Sequence, residues 1–247
     1  MKNLDGLTTN LIAHRGLHNK EKNIPENSIL AFKRAVRCGY NIELDVHLTK
    51  DKKVVVFHDN SLNRMCNTNK LIEDCTYDEI LKYNLGNTKY KIPLLKDVLN
   101  LINGQVFLLV ETKSLKFDGE LEYYLSKLLD EYNGSFAVHS FNIFSINWFK
   151  KHKNNYIRGL LSSDFSKWNM SNLRKWIGKT LISDIFLKTD FISYDIRSLP
   201  NIYVSLKRKK KIVLGWTIRN KKDYEKSLEF CDNLICDNLE EYKKNCM

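Results

Sequence analysis

Asn41-Ile42-Glu43-Leu44-Asp45-Val46 sets two carboxylates two residues apart in an otherwise apolar, β-prone run. Side chains two apart on a strand share a face, so Glu43 and Asp45 point one way and Ile42, Leu44 and Val46 the other. The chain repeats this construction on either side. Short apolar runs recur at 11–13, 106–110, 136–138, 156–161, 191–193, 212–216 and 234–236. Between them, apolar residues at helical spacing predict helices over 28–38, 95–102, 119–132, 143–152, 172–182, 199–207 and 221–230. Regular alternation of strand and helix predicts a parallel sheet. An open doubly wound sheet would normally use fewer strands than the eight runs counted here, so the expectation is a (β/α)8 TIM barrel. The polar residues agree, for His14, Asp45, Glu111, His139, Asp195, Trp216-Thr217 and Asp237 each fall at or just past the C-terminal end of a run. That is the end where barrel enzymes collect their working groups.

Size is consistent with one domain over 1–247, since such a barrel takes about 250 residues. One stretch breaks the alternation. After Asp45 the chain runs through Val54-Val55-Val56-Phe57 to His58 and does not reach the next barrel helix until about residue 92. Connections are normally a few residues, so 60–92 reads as a small insertion after the second strand, above the catalytic face. Residues 1–10 are polar, and no run approaches the ~18 apolar residues of a membrane span. Six scattered cysteines (Cys38, Cys66, Cys75, Cys231, Cys236, Cys246) form no CxxC pair and read as reduced thiols in a cytoplasmic protein. The formal net charge is +11, concentrated in Lys207-Arg208-Lys209-Lys210-Lys211. That run enters a strand from the end opposite the expected site, so it reads as a solvated face rather than a polyanion or membrane patch. It has no interleaved aromatics, which argues against nucleic acid as a partner.

The chemistry concentrates early. Two carboxylates on one face inside a closed barrel repel each other and raise a pKa unless a positive charge sits between them. Glu43 and Asp45, joined by Glu111 from the neighbouring strand, therefore suggest a divalent cation. Oxygen donors without a nearby thiolate favour Mg²⁺ or Ca²⁺ over zinc. His14 and His58, each followed by a charged residue, are candidates for proton transfer. Arg15 can fork onto phosphate oxygens, with Gly16 leaving room for close approach. Lys113, two past Glu111 and on its face, offers a second positive charge. His47 shares the parity of Glu43 and Asp45, and His139 with Ser140 falls at the site's rim, whereas His18 and His152 read as surface residues.

In this order, His14-Arg15-Gly16, Glu43-Leu44-Asp45, His58-Asp59 and Glu111-Thr112-Lys113 resemble the glycerophosphodiester phosphodiesterase family, and the likeness runs from Leu11 through Asp237. The resemblance implies His14 and His58 as an acid/base pair, Glu43, Asp45 and Glu111 as metal ligands, and Trp216 as a wall against the glycerol carbons. It implies hydrolysis of a small-molecule glycerophosphodiester to sn-glycerol 3-phosphate and an alcohol, by attack of the substrate's own 2-hydroxyl or of water. Departures such as Pro93-Leu94-Leu95-Lys96-Asp97, which loses an acid and a hydroxyl of the family pattern, bear on substrate preference. The alternative is a lysophospholipase D working in peripheral contact with membranes. It would need an apolar rim, for which Tyr77, Tyr83, Tyr90, Phe165 and Trp168 are the candidates.

Overall fold

The structure, a computed structural model, describes residues 2–241. Its strands are β1 (Ile12–Ala13), β2 (Asn41–Leu48), β3 (Val54–Val56), β4 (Leu108–Thr112), β5 (Phe136–Ser140), β6 (Ile157–Ser162), β7 (Phe191–Asp195), β8 (Ile212–Ile218) and β9 (Asn233–Cys236). All but β3 are parallel, and β1 closes the sheet by pairing Ile12 with Asn41 on one side and with Ile235 on the other. The result is a (β/α)8 TIM barrel. β3 folds back antiparallel on β2, with Val56 opposite Val46 and Val54 opposite Leu48.

Register explains where the site lies. Ile12, Leu109, Ala137, Phe191, Leu214 and Ile235 point into the barrel and pack together, with Leu7 and Phe107 joining them. One step nearer the C-terminal ends the same inward face turns polar, and Asp45, Glu111 and His139 are successive partners across β2, β4 and β5. The opposite strand faces meet the helices in a larger core that includes Ile42, Leu44, Val46, Val110 and Val138. Strands buried on both faces in this way read as near-continuous apolar runs, which is why an acid within one carries information.

The helices are α1 (Ile29–Arg37), α2 (Asn63–Cys66), α3 (Tyr77–Ile80), α4 (Leu95–Ile102), α5 (Glu120–Asp130), α6 (Ile143–His152), α7 (Asn172–Thr180), α8 (Ser183–Leu187), α9 (Ile202–Arg208) and α10 (Lys221–Ser227). Several begin on a side-chain cap. The Ser28 hydroxyl accepts from the Ala31 N–H, and Asn142, Ser171, Asn201 and Asn220 cap α6, α7, α9 and α10. α1 then buries Ala31, Phe32 and Ala35 against the barrel. Helices α2 and α3 lie in the excursion after β3, which has a core of its own from Val55, Phe57, Leu62, Ile72, Ile80, Leu85 and Ile92. Tyr77, Tyr83 and Tyr90 pack against that core and do not form a rim. No described helix is long and apolar enough to cross a membrane.

The basic run is not simply a solvated face. Lys207 Nζ and Lys211 Nζ lie 2.5 and 2.7 Å from the buried Asp184 carboxylate, and Arg208 bonds Asp232 and the carbonyls of Glu229 and Cys231. Only Lys209 and Lys210 are left exposed. Burial alone would raise the Asp184 pKa, but the two lysines and Thr189 hold it below 3.8. A carboxylate of this kind adds stability above its unfolded pKa and loses it as pH falls through the folded one. Asp184→Asn is therefore expected to cost about 2 kcal/mol at neutral pH, with the gap to the parent closing below about pH 4. Urea denaturation at both pH values measures this, and an unchanged gap would refute it.

Cys66, Cys75, Cys231 and Cys236 are free thiols, Cys38 is disulfide-bonded against expectation, and Cys246 lies outside the described residues.

Candidate active site

At the C-terminal end of the barrel a cavity of about 520 Å³ is lined by His14, Arg15, Glu43, His58, Glu111, Lys113, His139 and Trp216, among others. Of the residues expected to act as acid, base, metal ligand or substrate contact, Asp45 alone falls outside this lining; of the other polar residues singled out, His47, Asp195 and Asp237 lie outside it as well. Asp45 lies beneath it, wholly buried, and His47 opens onto a neighbouring pocket.

Each histidine proposed for proton transfer is held by a carboxylate through Nδ1. His14 Nδ1 is 2.7 Å from Asp237 Oδ1, and His58 Nδ1 is 2.6 Å from Asp59 Oδ1. With Nδ1 fixed as the donor, Nε2 is the nitrogen left for other work. Burial and Arg15 lower the His14 pKa against the opposing pull of Asp237. Asp237 itself is held far below the usual carboxylate range: burial would raise it, but hydrogen bonds from His14 and His18 prevail. His18 is thus not a surface residue, since it is half-buried with Nε2 3.2 Å from Asp237 Oδ1. Asp237 was visible as a strand-end acid, but no local pattern joins it to a histidine 223 positions away. Asp59 is also pulled down, by His58 and by Arg64, whose Nε donates to Asp59 Oδ2 at 2.6 Å.

Arg15 is fixed from several sides. Its backbone is left-handed (φ 55°), and its N–H donates to Glu43 Oε2 at 3.0 Å. Its guanidinium bonds Glu26 at 2.7 Å and sits 3.4 Å from Asp45. Glu26 in turn takes Arg64, and despite burial its pKa falls to about 2. Gly16 also has a packing role. At φ +77° it turns the chain onto α1, and a Cβ there would lie 2.9 Å from Phe32 and 3.0 Å from Ala31. The close approach seen at Gly16 is to α1.

The three acids are not equivalent. Asp45 takes Asn27 Nδ2 at 2.8 Å and lies 3.0 Å from Lys113 Nζ. Burial would raise its pKa, but Lys113 and Arg15 hold it well down. Glu43 moves the other way, raised by burial and by its neighbours Asp45 and Glu111. Glu111 is likewise raised by burial and Asp45, although Lys113 bonds it at 2.5 Å. Glu43 and Glu111 are buried acids whose charged forms burial and neighbouring carboxylates disfavour, the electrostatic condition a cation relieves. A ligand atom of each and one of His139 all lie within 4.8 Å of one another. This donor set fits a divalent ion. His139 is fully buried, burial and Lys113 depress its pKa to about 3, and neither ring nitrogen has a hydrogen-bond partner.

The remaining wall is aromatic. Trp216 meets Phe141 edge-on at 5.5 Å, and Phe141 lies 5.7 Å from Trp168, which is half-exposed at the mouth. Phe165 is buried behind Trp168.

Paired, carboxylate-anchored histidines and fixed cations around a buried acidic cluster, at the open end of a closed barrel, are the equipment of a barrel phosphoric diester hydrolase. Comparison with known proteins agrees. Residues 14–241 match the Glycerophosphoryl diester phosphodiesterase family, and the chain belongs to that family. It is 32% identical over 247 residues, 95% of this chain and 96% of the relative, to a glycerophosphodiester phosphodiesterase of Caldanaerobacter subterraneus subsp. tengcongensis. A second glycerophosphodiester phosphodiesterase, from Bacillus altitudinis, is 42% identical over 101 residues, 38% of this chain and 40% of the relative. The fold matches a phosphodiesterase of Oleispira antarctica, solved in complex with the product sn-glycerol-3-phosphate, at a TM-score of 0.82 and 21% identity, covering 98% of each chain.

Proposed function

We propose that the enzyme hydrolyses glycerophosphodiesters to sn-glycerol 3-phosphate and an alcohol, with His14 and His58 as the acid/base pair and a divalent cation held among the acids. The convergence of two carboxylate-anchored histidines on one cavity with Glu43, Glu111, Arg15 and Lys113 carries this reading. The product bound in the Oleispira antarctica structure supports the substrate class.

Glu43 and Glu111 would hold the ion with Asp45 as the third acid of the set, its carboxylate shared with Lys113, Arg15 and Asn27. When bound, Mg²⁺ or Ca²⁺ supplies charge stabilisation at the phosphoryl oxygens. Arg15 and Lys113 hold the same oxygens from the protein side. His14 is the base, because burial and Arg15 keep its ring neutral near pH 7. It takes the proton of the attacking hydroxyl, from the substrate or from water. His58, nearer the mouth and oriented by Asp59, gives a proton to the departing alkoxide. Trp216 presents its ring face to the glycerol carbons.

The test is release of glycerol 3-phosphate from glycerophosphocholine. Release should cease in EDTA and return with excess Mg²⁺ or Ca²⁺. No release by folded, metal-loaded protein would exclude the substrate class.

A second reading, action on lysophospholipids at a membrane, is favoured by the apolar side of the mouth. There Leu115 and Trp168 line the cavity half-exposed, and Phe117, two residues after Leu115, is 72% exposed. Rates that rise with acyl length across lysophosphatidylcholines, and exceed that on glycerophosphocholine, would favour this reading.

A further inference from the structure

His139 is the one buried side chain at the site with no partner for either ring nitrogen among the described residues. It sits in β5 directly opposite Glu111 in β4, on the inward face, and is 1% exposed. An imidazole that loses water and gains no hydrogen bond costs about 1–3 kcal/mol. A packing role does not account for the cost, because an aliphatic side chain would fill the place without it. Its one ring neighbour, Phe191, is 6.2 Å away between centroids and offers no polar atom. What lies within reach is a pair of buried acids: ligand atoms of His139, Glu43 and Glu111 are mutually within 4.8 Å. Two donors on one ion, each about 2.1 Å from it, can stand at most about 4.2 Å apart, so small side-chain rotations close the set.

We propose that His139 is a nitrogen ligand of the cation beside the acids Glu43 and Glu111, so that the site prefers Mn²⁺ or Co²⁺ to Ca²⁺. The inference rests on the metal-dependent reading above and changes its content. Carboxylate-only sites suit hard alkaline-earth ions, whereas an imidazole raises affinity for first-row transition ions selectively.

The test uses the full chain stripped with chelator. Mn²⁺ is bound to the unmodified protein, and electron spin-echo envelope modulation is recorded for coupling to an imidazole nitrogen. Coupling is expected. In parallel, calorimetric titration of His139→Gln should show Mn²⁺ and Co²⁺ affinity reduced about 10-fold or more, with Ca²⁺ affinity changed less than about 3-fold. Glu43→Gln should weaken all three ions. Mn²⁺ that binds with Glu43 dependence but without nitrogen coupling would overturn the role of His139 and leave the metal site standing. Equal losses for Mn²⁺ and Ca²⁺ in His139→Gln would overturn the preference. An unmodified protein that binds none of the ions would overturn both the inference and the metal-dependent reading. The spin-echo measurement needs no variant, so a poorly folding His139→Gln leaves a decisive result.

Discussion

His58→Ala is expected to lower kcat/KM on glycerophosphocholine by about 10²–10⁴-fold, with the protein still folded and metal-loaded. The fold should tolerate the change because the ring is about one-third exposed and Arg64 continues to neutralise Asp59. A thermal midpoint close to the parent's would separate lost chemistry from lost structure. His14→Ala should cost a similar factor, and the double variant little more than either single one, since the two act on one proton inventory. Additive losses would mean that the histidines do not work as a pair. The pH profile carries the sign. His14 must be neutral to act as a base, and its pKa is lowered from 6.5, so the acid limb of kcat/KM should fall below pH 6.5. Asp237 opposes that lowering, so Asp237→Asn should move the acid limb lower still while reducing the plateau rate. An acid limb that rises in Asp237→Asn would exclude His14 as the base.

Much of this site was readable because strand geometry is local. Parity alone places Glu43 with Asp45 and Glu111 with Lys113, and the ends of apolar runs mark the catalytic face. The barrel itself follows from eight such runs separated by capped, amphipathic helices. What stayed hidden depends on closure. Asp237 reaches His14 and His18 only because β9 pairs with β1, a contact spanning nearly the whole sequence. His139 looked like a rim residue because nothing in Ala137-Val138-His139-Ser140 tells that its ring would be buried without a partner. Lys207 and Lys211 looked solvated because Asp184 stands in α8, a short helix that the predicted elements do not include. The unequal states of Glu43 and Asp45 were likewise unreadable. They differ by which cations lie within 4 Å, and those cations come from two other strands' ends.

That inequality leads to the second large effect. Lys113 Nζ is 3.0 Å from Asp45 and 2.5 Å from Glu111, with most of its side chain buried. Together with Arg15 it balances a cluster of three buried acids that would otherwise face one another. In chelated protein, Lys113→Met removes one of two counter-charges and should cost about 3–5 kcal/mol at pH 7.5. The pH dependence follows from the same contacts. Lys113 is the foremost influence holding Asp45 down, and it also restrains Glu111. Without it both folded pKa values rise, so the native state binds more protons than the unfolded chain above about pH 4, and stability falls as pH rises. The deficit relative to the parent should therefore be small at pH 4.5 and full at pH 7.5. A saturating divalent cation should recover part of it, because the ion supplies the missing charge at the same acids. Urea denaturation at the two pH values, with and without the ion, measures all three expectations. A deficit that is the same at pH 4.5 and 7.5 would mean that Lys113 stabilises by packing its methylenes, and that the acids below the cavity do not depend on its charge.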